Sequence, residues 1–295
     1  MTKQGFHSGF VAIIGRPNVG KSTLLNALVG EKVAIVSDRP QTTRNRIMGV
    51  ADGEGWQMVF LDTPGLHKPR TKLGEYMVKT ARDALEGIDA LVVMVAAGEI
   101  GKQDEAIVQE MSALKVPKIL AVNKTDALSR EKLMAQLDAF HQAAYDAVLP
   151  MSALKGEGVD KLRSLLIDVL PEGPRYFPPD MITDQPERLL CAEIIREKAL
   201  QNLRDEVPHG IGVEMQAITA VSEQLTEIHA TIYCEREAHK RIVIGKQGSM
   251  LGRIGTAARL DIERLLGVHV ALKLWVKVRE DWRNRSEDLR NLGYE

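Results

Sequence analysis

The chain has 295 residues, of which 44% are hydrophobic and 27% are charged, and 39 Lys and Arg nearly balance 40 Asp and Glu. This composition is that of a globular protein with room for two domains, and the charge balance excludes a chain-wide basic or acidic field as the guide to a partner. The two cysteines, Cys191 and Cys234, form neither a disulfide framework nor a metal motif. The longest apolar run, 90–97, is far shorter than the about 20 residues that span a bilayer. We therefore expect a cytoplasmic protein.

The first part of the chain alternates apolar strand-like runs with helical stretches. The predicted strands are 10–14, 56–61, 90–96, 118–122 and 147–151. The predicted helices are 21–29, 72–86, 102–114, 129–143 and 158–170. This alternation favours an α/β fold with a mostly parallel sheet covered by helices on both faces, and ligands in such folds bind beyond the carboxyl ends of the strands.

A proline-rich segment, 171–179, marks the predicted domain boundary, since four prolines in nine residues favour an extended connector. Beyond it the pattern changes to a smaller α+β unit. Its predicted elements are a helix at 187–204, strands at 212–220 and 227–235, a short helix at 238–242, a long helix at 249–266 and a strand at 268–278. We therefore divide the chain into a first domain at 1–172, a linker at 173–186, a second domain at 187–281 and a tail at 282–295.

The octapeptide GRPNVGKS at 15–22 follows the first predicted strand and matches the phosphate-binding loop G-x-x-x-x-G-K-[ST]. Gly15 and Gly20 let the backbone curl so that its N–H groups point at a nucleoside polyphosphate. Lys21 can reach the β- and γ-phosphates, and the Ser22 hydroxyl can bind the accompanying Mg²⁺. A glycine-rich strand–helix turn is the alternative interpretation of this segment by itself.

Three further motifs follow predicted strands and identify the nucleotide. In DTPG, Asp62 can hold Mg²⁺ through water, and the Gly65 N–H can bond the γ-phosphate. In NKTD, the Asp126 carboxylate can accept bonds from N1–H and the exocyclic amine of guanine, whereas adenine would leave it unpaired. In SALK, the Ala153 N–H is placed to meet the guanine oxygen. Each motif alone could be an ordinary turn, but all four in this order predict GTP binding.

The predicted nucleotide contacts lie on these four motifs or directly after them. They are Gly15, Arg16, Pro17, Asn18, Val19, Gly20, Lys21, Ser22, Thr23, Asp62, Thr63, Pro64, Gly65, Leu66, Asn123, Lys124, Asp126, Ser152, Ala153 and Leu154.

The ordered motifs, together with the neighbouring PQTTR and DTPGLHKP segments, resemble the Era family within the translation-factor class of GTPases, over nearly the whole chain. The resemblance implies GTP and GDP as ligands, Mg²⁺ held by Ser22, Thr43 and Asp62, and a mobile switch at about 33–47; Thr42 is the alternative to Thr43. Leu66 follows Gly65 and has no polar group to orient water, so we expect slow turnover. The resemblance also makes Asn18 a candidate for K⁺-assisted catalysis, against the alternative that it only bonds its own backbone. The predicted catalytic set is Asn18, Lys21, Thr43, Asp62 and Gly65.

A GxxG sequence at 245–248 separates two predicted helices in the second domain, and its glycines would let a sugar-phosphate chain approach the backbone, as in KH domains. From 236 to 285 there are 12 Lys and Arg against 5 Asp and Glu, a local excess of +7 typical of a nucleic-acid binder. A plain helix–helix turn and a solvated charged face are the alternatives. Resemblance to the Era family implies a type II KH domain that binds single-stranded RNA. The predicted RNA contacts are Lys240, Arg241, Gly245, Lys246, Gln247, Gly248 and Arg253.

The leading functional hypothesis is a monomeric GTP-hydrolysing switch that binds ribosomal RNA. The resemblance implies 16S rRNA near its 3′ end as the target and maturation of the small (30S) ribosomal subunit as the process, with peripheral contact at the cytoplasmic face of the membrane left open. The runner-up is a membrane- or protein-directed signalling GTPase whose second domain binds a protein. NKTD and the lack of an evident acceptor pocket argue against a third alternative, a metabolic phosphotransferase.

Overall fold

The computed structural model describes residues 5–39, 41–140 and 144–294, which form two compact units. The first unit comprises the described residues among Met1–Ala34, Thr43–Lys68 and Met77–Asp184. The second comprises those among Ile35–Thr42, Pro69–Tyr76 and Gln185–Glu295. Within the described residues, no helix combines the length and the apolar character needed to cross a membrane.

The first unit is a six-stranded sheet with helices on both faces, as the alternating pattern predicts. Its strands are β1 His7–Gly15, β2 Ile47–Gly53, β3 Trp56–Asp62, β4 Ala90–Ala96, β5 Lys118–Asn123 and β6 Ala147–Pro150. Its helices are α1 Lys21–Val29, α3 Lys102–Ser112, α4 Arg130–Ala139 and α5 Val159–Val169, while α2 Lys72–Asp83 spans residues of both units. Positions 141–143 of the helix predicted at 129–143 lie outside the described residues. Two apolar clusters, one on each face of the sheet, form the core.

The strand order is β2-β3-β1-β4-β5-β6, and β2 is the one strand of this sheet that the sequence analysis missed. It pairs antiparallel with β3 across a two-residue turn, Glu54 and Gly55, in which Gly55 has a left-handed φ of 81°. Gly49 interrupts the apolar pattern of β2. It lies against α1, where a Cβ atom on this residue would be 2.8 Å from Leu25 Cδ1. The other pairings are parallel and bring the carboxyl ends of β1, β3, β4, β5 and β6 to one edge.

The proline-rich segment and the residues that follow it up to Ile182 contact β3 and the edge strand β2 of the first unit. The buried Gln57 side chain accepts from the N–H groups of Tyr176 and Phe177, at 2.8 and 3.0 Å. The Val50 N–H of the edge strand donates to the Ile182 carbonyl at 2.8 Å. The segment thereby covers a sheet edge that would otherwise present unpaired backbone groups.

The second unit is a three-stranded sheet, order β7-β8-β9, packed on helices. Its elements are α6 Glu187–Asn202, β7 Gly212–Ser222, β8 Leu225–Cys234, α7 Glu237–Ile244, α8 Ser249–Leu266, β9 His269–Val278 and α9 Ser286–Asn291. All but α9 lie within a few residues of their predicted bounds. β7 and β8 are antiparallel, and β8 and β9 are parallel.

Candidate nucleotide and RNA sites

The phosphate-binding loop leaves β1 and enters α1, and only glycine fits at two of its positions. A Cβ atom on Gly15 would lie 2.4 Å from the Met94 carbonyl oxygen. Gly20 has a left-handed φ of 103°, and a Cβ there would lie 2.3 Å from the Asn123 amide nitrogen. The Lys21 side chain is buried, and its Nζ donates to the carbonyls of Gly15 and Arg16 at 3.2 and 3.0 Å. Burial lowers the pKa of Lys21 to about 8, against the opposing attraction of Asp62.

Three oxygen-bearing side chains meet beside this loop. Asp62 is fully buried, and its Oδ2 accepts from Ser22 Oγ at 2.7 Å and from Thr43 Oγ1 at 3.3 Å. The two hydroxyls are themselves 2.8 Å apart. The structure therefore brings together the three side chains that the sequence analysis predicted to hold Mg²⁺.

The other carboxylate oxygen of Asp62, Oδ1, is buried and has no hydrogen-bond partner among the described residues. Burial raises the pKa of Asp62, while Lys21 and the two hydroxyl bonds act in the opposite direction. A buried carboxylate oxygen without a partner is costly unless a donor or cation completes it. One carboxylate and two hydroxyls are the hard oxygen donors that Mg²⁺ prefers, so these residues fit the ion.

Thr42 does not join this cluster. Its Oγ1 donates to the Arg39 carbonyl at 2.6 Å, and its own carbonyl accepts from the buried Arg196 of α6. Thr42 belongs to the second unit, whereas Thr43 belongs to the first. The geometry favours Thr43 of the two threonines as the metal ligand.

The DTPG segment packs directly on the phosphate-binding loop. A Cβ atom on Gly65 would lie 2.5 Å from the Pro17 nitrogen, so any other residue would push the two backbones apart. The Leu66 N–H donates to the Gly15 carbonyl at 3.1 Å, and the Leu66 side chain is buried in the apolar core. Thr63 is tied to β1 through a bond from Oγ1 to the Ile13 carbonyl at 2.9 Å. Leu66 thus offers no polar group to the site.

Asn123 connects three of the predicted motifs. Its Nδ2 donates to the Val19 carbonyl at 2.7 Å, and its Oδ1 accepts from the Ala153 N–H at 2.8 Å. The sequence analysis assigned that N–H to the guanine oxygen. In the structure it already has an acceptor, so guanine would have to share or displace that bond. The structure shows Asn123 holding these loops in place; its contact with the nucleotide stays a prediction.

The predicted base-reading carboxylate lies at the surface. Asp126 is exposed, and its Oδ1 accepts from Ser152 Oγ at 2.7 Å. This bond is the largest of the effects that hold the pKa of Asp126 below its usual value, so the acceptor form is favoured. The neighbouring Leu154 side chain is 79% exposed and is free to lie against a purine ring.

Other predicted contacts have side chains engaged elsewhere. Arg16 Nε lies 3.1 Å from both oxygens of Asp104, and Lys124 Nζ lies 3.5 Å from a Glu99 oxygen. Arg16 is therefore suited to contribute backbone groups rather than its guanidinium. Asn18 has a left-handed φ of 65°, a conformation that asparagine tolerates better than most residues. Pro17 lies within the phosphate-binding loop, Thr23 is the third residue of α1, and Pro64 lies within the DTPG segment.

The GxxG sequence forms the turn between α7 and α8. Gly245 and Gly248 have left-handed φ values of 73° and 79°, and Gln247 between them has 52°. Of the predicted RNA contacts, Arg241, Lys246, Gln247 and Arg253 are exposed and Lys240 is half-buried. None of the four cations in this set has a carboxylate within ion-pair distance in the described part of the chain. They are therefore available to phosphates.

A groove of about 330 Å³ continues from this turn between α8 and β9. It is lined by Gly248, Leu251, Gly252, Gly255, Thr256, Arg259, Leu272 and Leu274. Sequence reasoning predicted only Gly248 of these as an RNA contact. Two glycines inside the long helix, Gly252 and Gly255, were the available signal, since glycine weakens a helix unless something must approach its backbone.

Comparison with known proteins identifies both domains. A family model described as 50S ribosome-binding GTPase matches residues 10–124, and a KH domain model matches residues 206–283. GTPase Era of Alkaliphilus metalliredigens is 53% identical over 293 residues, 98% of this chain and 99% of that protein. GTPase Era of Ruminiclostridium cellulolyticum is 51% identical over 291 residues, 98% of each.

Two solved structures match almost the whole chain at 43% identity, each covering 98% of this chain and 99% of the other. One is Era in complex with MgGDPNP and nucleotides 1506–1542 of 16S ribosomal RNA, with a TM-score of 0.94. The other is a single-substitution variant of Aquifex aeolicus Era bound to GDP·AlF4⁻, with a TM-score of 0.93. This chain shares about half of its residues with the two curated relatives over nearly their full length, and its fold matches that of a solved Era structure. The chain therefore belongs to the Era family of GTPases.

Proposed function

We propose that this protein is a GTP-controlled switch that binds 16S ribosomal RNA near its 3′ end and assists assembly of the small ribosomal subunit. The observation that carries the nucleotide half is the cluster of Ser22, Thr43 and Asp62 beside the phosphate-binding loop, with an orphaned carboxylate oxygen. The RNA half is supported by the GxxG turn and by the relative whose structure contains 16S rRNA nucleotides.

Guanine selectivity rests on Asp126. Its ionised carboxylate can accept from both N1–H and the exocyclic amine, while Ser152 holds it in place from the other side. Adenine presents no such pair of donors and would leave the charge without partners. Asn123 keeps this loop in register with the phosphate-binding loop, so that base and phosphates are bound together.

Hydrolysis depends on positioned charge rather than on covalent chemistry. Mg²⁺, when bound, offsets the negative charge on the β- and γ-phosphate oxygens. Ser22 and Thr43 can ligate it directly, and Asp62 can hold it directly or through water. When the nucleotide binds, the Lys21 ammonium group donates to phosphate oxygens instead of to the carbonyls of Gly15 and Arg16. The Gly65 N–H donates to the γ-phosphate, a bond that GDP cannot make.

Slow turnover follows from Leu66, whose buried side chain cannot orient water. We propose that K⁺ beside Asn18 supplies the missing positive charge. Asn18 lies inside the phosphate-binding loop, and its left-handed backbone fixes the direction in which its short side chain leaves that loop.

RNA recognition uses the second unit. The glycines at 245 and 248 let a sugar-phosphate chain approach the turn, where Lys246, Arg241 and Arg253 meet phosphates. The groove between α8 and β9 then receives unstacked bases. We place the protein in the cytoplasm as a monomer, with a peripheral membrane contact as a secondary location that vesicle flotation tests.

Cosedimentation with purified small ribosomal subunits tests the proposal in three states: with a non-hydrolysable GTP analogue, with GDP and without nucleotide. We expect pelleting that depends on nucleotide and is lost in Gly248→Asp. Gly267→Asp is the matched control, since Gly267 ends the same helix with a left-handed φ of 69° and open space around its Cβ position. Pelleting that does not depend on the nucleotide would refute the switch. Equal pelleting of both variants would refute the RNA-binding role of the GxxG turn.

A further inference from the structure

The edge strand β9 presents two different rows of side chains. Leu272 and Leu274 line the groove next to α8. Because side chains alternate along a strand, Lys273, Trp275 and Lys277 project to the opposite face of the sheet. All three are exposed. The apolar side chains of β9 therefore line the groove, and its Lys-x-Trp-x-Lys side chains lie on the outer face of the sheet.

Trp275 is the exposed tryptophan of this unit. Its side chain is 45% exposed, whereas Trp282 is fully buried and donates Nε1–H to the Gly210 carbonyl at 2.9 Å. The indole of Trp275 lies beside the ring of His229 on β8, with centroids 5.3 Å apart and planes at 58°. Nearly half of this large ring is exposed, so a second flat ring can stack on it.

The charges around Trp275 favour a polyanion. Lys273 Nζ lies 2.8 Å from a Glu227 oxygen that also contacts His229, and Lys277 has no ion-pair partner among the described residues of this unit. An exposed pair such as Lys273 and Glu227 is weak, so a phosphate can replace the carboxylate. A protein partner is disfavoured, because the centres of protein interfaces are depleted in lysine.

We propose that an RNA segment leaving the groove crosses the edge of β9, stacks an unpaired base on Trp275 and places its phosphates on Lys273 and Lys277. The inference rests on the proposed RNA binding and extends it by a second contact surface. The two surfaces are continuous because they are opposite rows of one edge strand. A base on aromatic rings flanked by cations is a general mode of single-strand binding.

The test measures affinity for a nested series of RNAs. The longest is the 1506–1542 fragment of 16S rRNA, and truncation from either end leads to the about four nucleotides that a KH turn clamps. Trp275→Ala is expected to weaken binding of the long fragments by roughly 5- to 150-fold, the usual range for loss of one stacked base. It should leave the shortest fragment unaffected. Trp275→Phe should retain most of the affinity.

Val221→Ala is the matched control, because Val221 is 58% exposed on β7 at the opposite edge of the same sheet. Lys277→Ala should reduce the slope of log affinity against log salt by about 0.7 for single-stranded RNA. Stacking should also quench tryptophan emission on binding, and Trp275→Phe should abolish that quenching.

The outcomes separate this inference from the proposed function. If no fragment binds the wild type, the proposed function fails. If the shortest fragment binds but Trp275→Ala leaves every fragment unchanged, the KH site stands and the outer-face contact is refuted. An equal loss for short and long fragments also refutes it, since Trp275 would then act through the groove.

Discussion

Replacing Asp126 by Asn is the sharpest test of base recognition. The side chain is exposed and accepts from Ser152 Oγ at 2.7 Å, a bond that an amide oxygen can also accept. The fold should therefore be undisturbed. The substitution places an amide where guanine presents two donors, so at least one donor of the base faces a donor of the protein.

The expected magnitude comes from the two bonds lost. A hydrogen bond to a charged group is worth about 1.5–3 kcal/mol, so losing two costs about 3–6 kcal/mol and lowers the affinity for GDP and GTP by about 150-fold or more. Xanthine carries a carbonyl where guanine carries its amine, and that oxygen can accept from the new amide. Xanthosine nucleotides should therefore bind the variant better than guanosine nucleotides do.

Calorimetric titration with Mg²⁺-GDP and Mg²⁺-xanthosine diphosphate measures this exchange. Asp138→Asn, an exposed carboxylate on α4, is the control for loss of a surface charge. An unchanged ratio of the two affinities in Asp126→Asn would refute the role given to Asp126, and ATP binding as tightly as GTP to the wild type would refute the whole nucleotide site.

Four other substitutions examine the rest of the nucleotide site. Thr43→Ala should lower Mg²⁺-dependent GTP hydrolysis at least about tenfold, as expected for one lost ligand. Thr42→Ala should hydrolyse GTP at a rate near that of the wild type. The reverse ranking of the two variants in a phosphate-release assay would contradict the assignment of Thr43 to the metal site. Asn123→Ala leaves the buried Val19 carbonyl and Ala153 N–H without their side-chain partner. At about 1–3 kcal/mol each, we expect the free energy of unfolding to fall by about 2–6 kcal/mol in urea titrations, and a change below about 1 kcal/mol would contradict this role. Wild-type turnover should be faster in K⁺ than in Na⁺ and Asn18→Ala should erase the difference, so equal turnover of the wild type in both salts would exclude the K⁺ proposal.

Much of the fold was predictable because its signals are local. Strand and helix bounds follow from runs and periodicities of a few residues, and the elements of the second unit lie close to their predicted positions. β2 was not predicted because Gly49 interrupts its apolar pattern. A glycine is needed there because the backbone lies close to α1. The proline-rich segment was predicted as a connector, but its bonds to the sheet edge depend on Gln57 and Val50, which are distant in the chain.

The sequence by itself determined the family, the nucleotide motifs and the two-domain order. Each motif is a short run of consecutive residues whose backbone and side chains act at one site, so it can be recognised without the fold. Only the tertiary structure decided which threonine joins Ser22 and Asp62, and that Ala153 already donates to Asn123. It also decided that Trp275 faces outward from an edge strand. These facts depend on which distant segments become neighbours, and that follows from packing of the whole chain rather than from any local pattern.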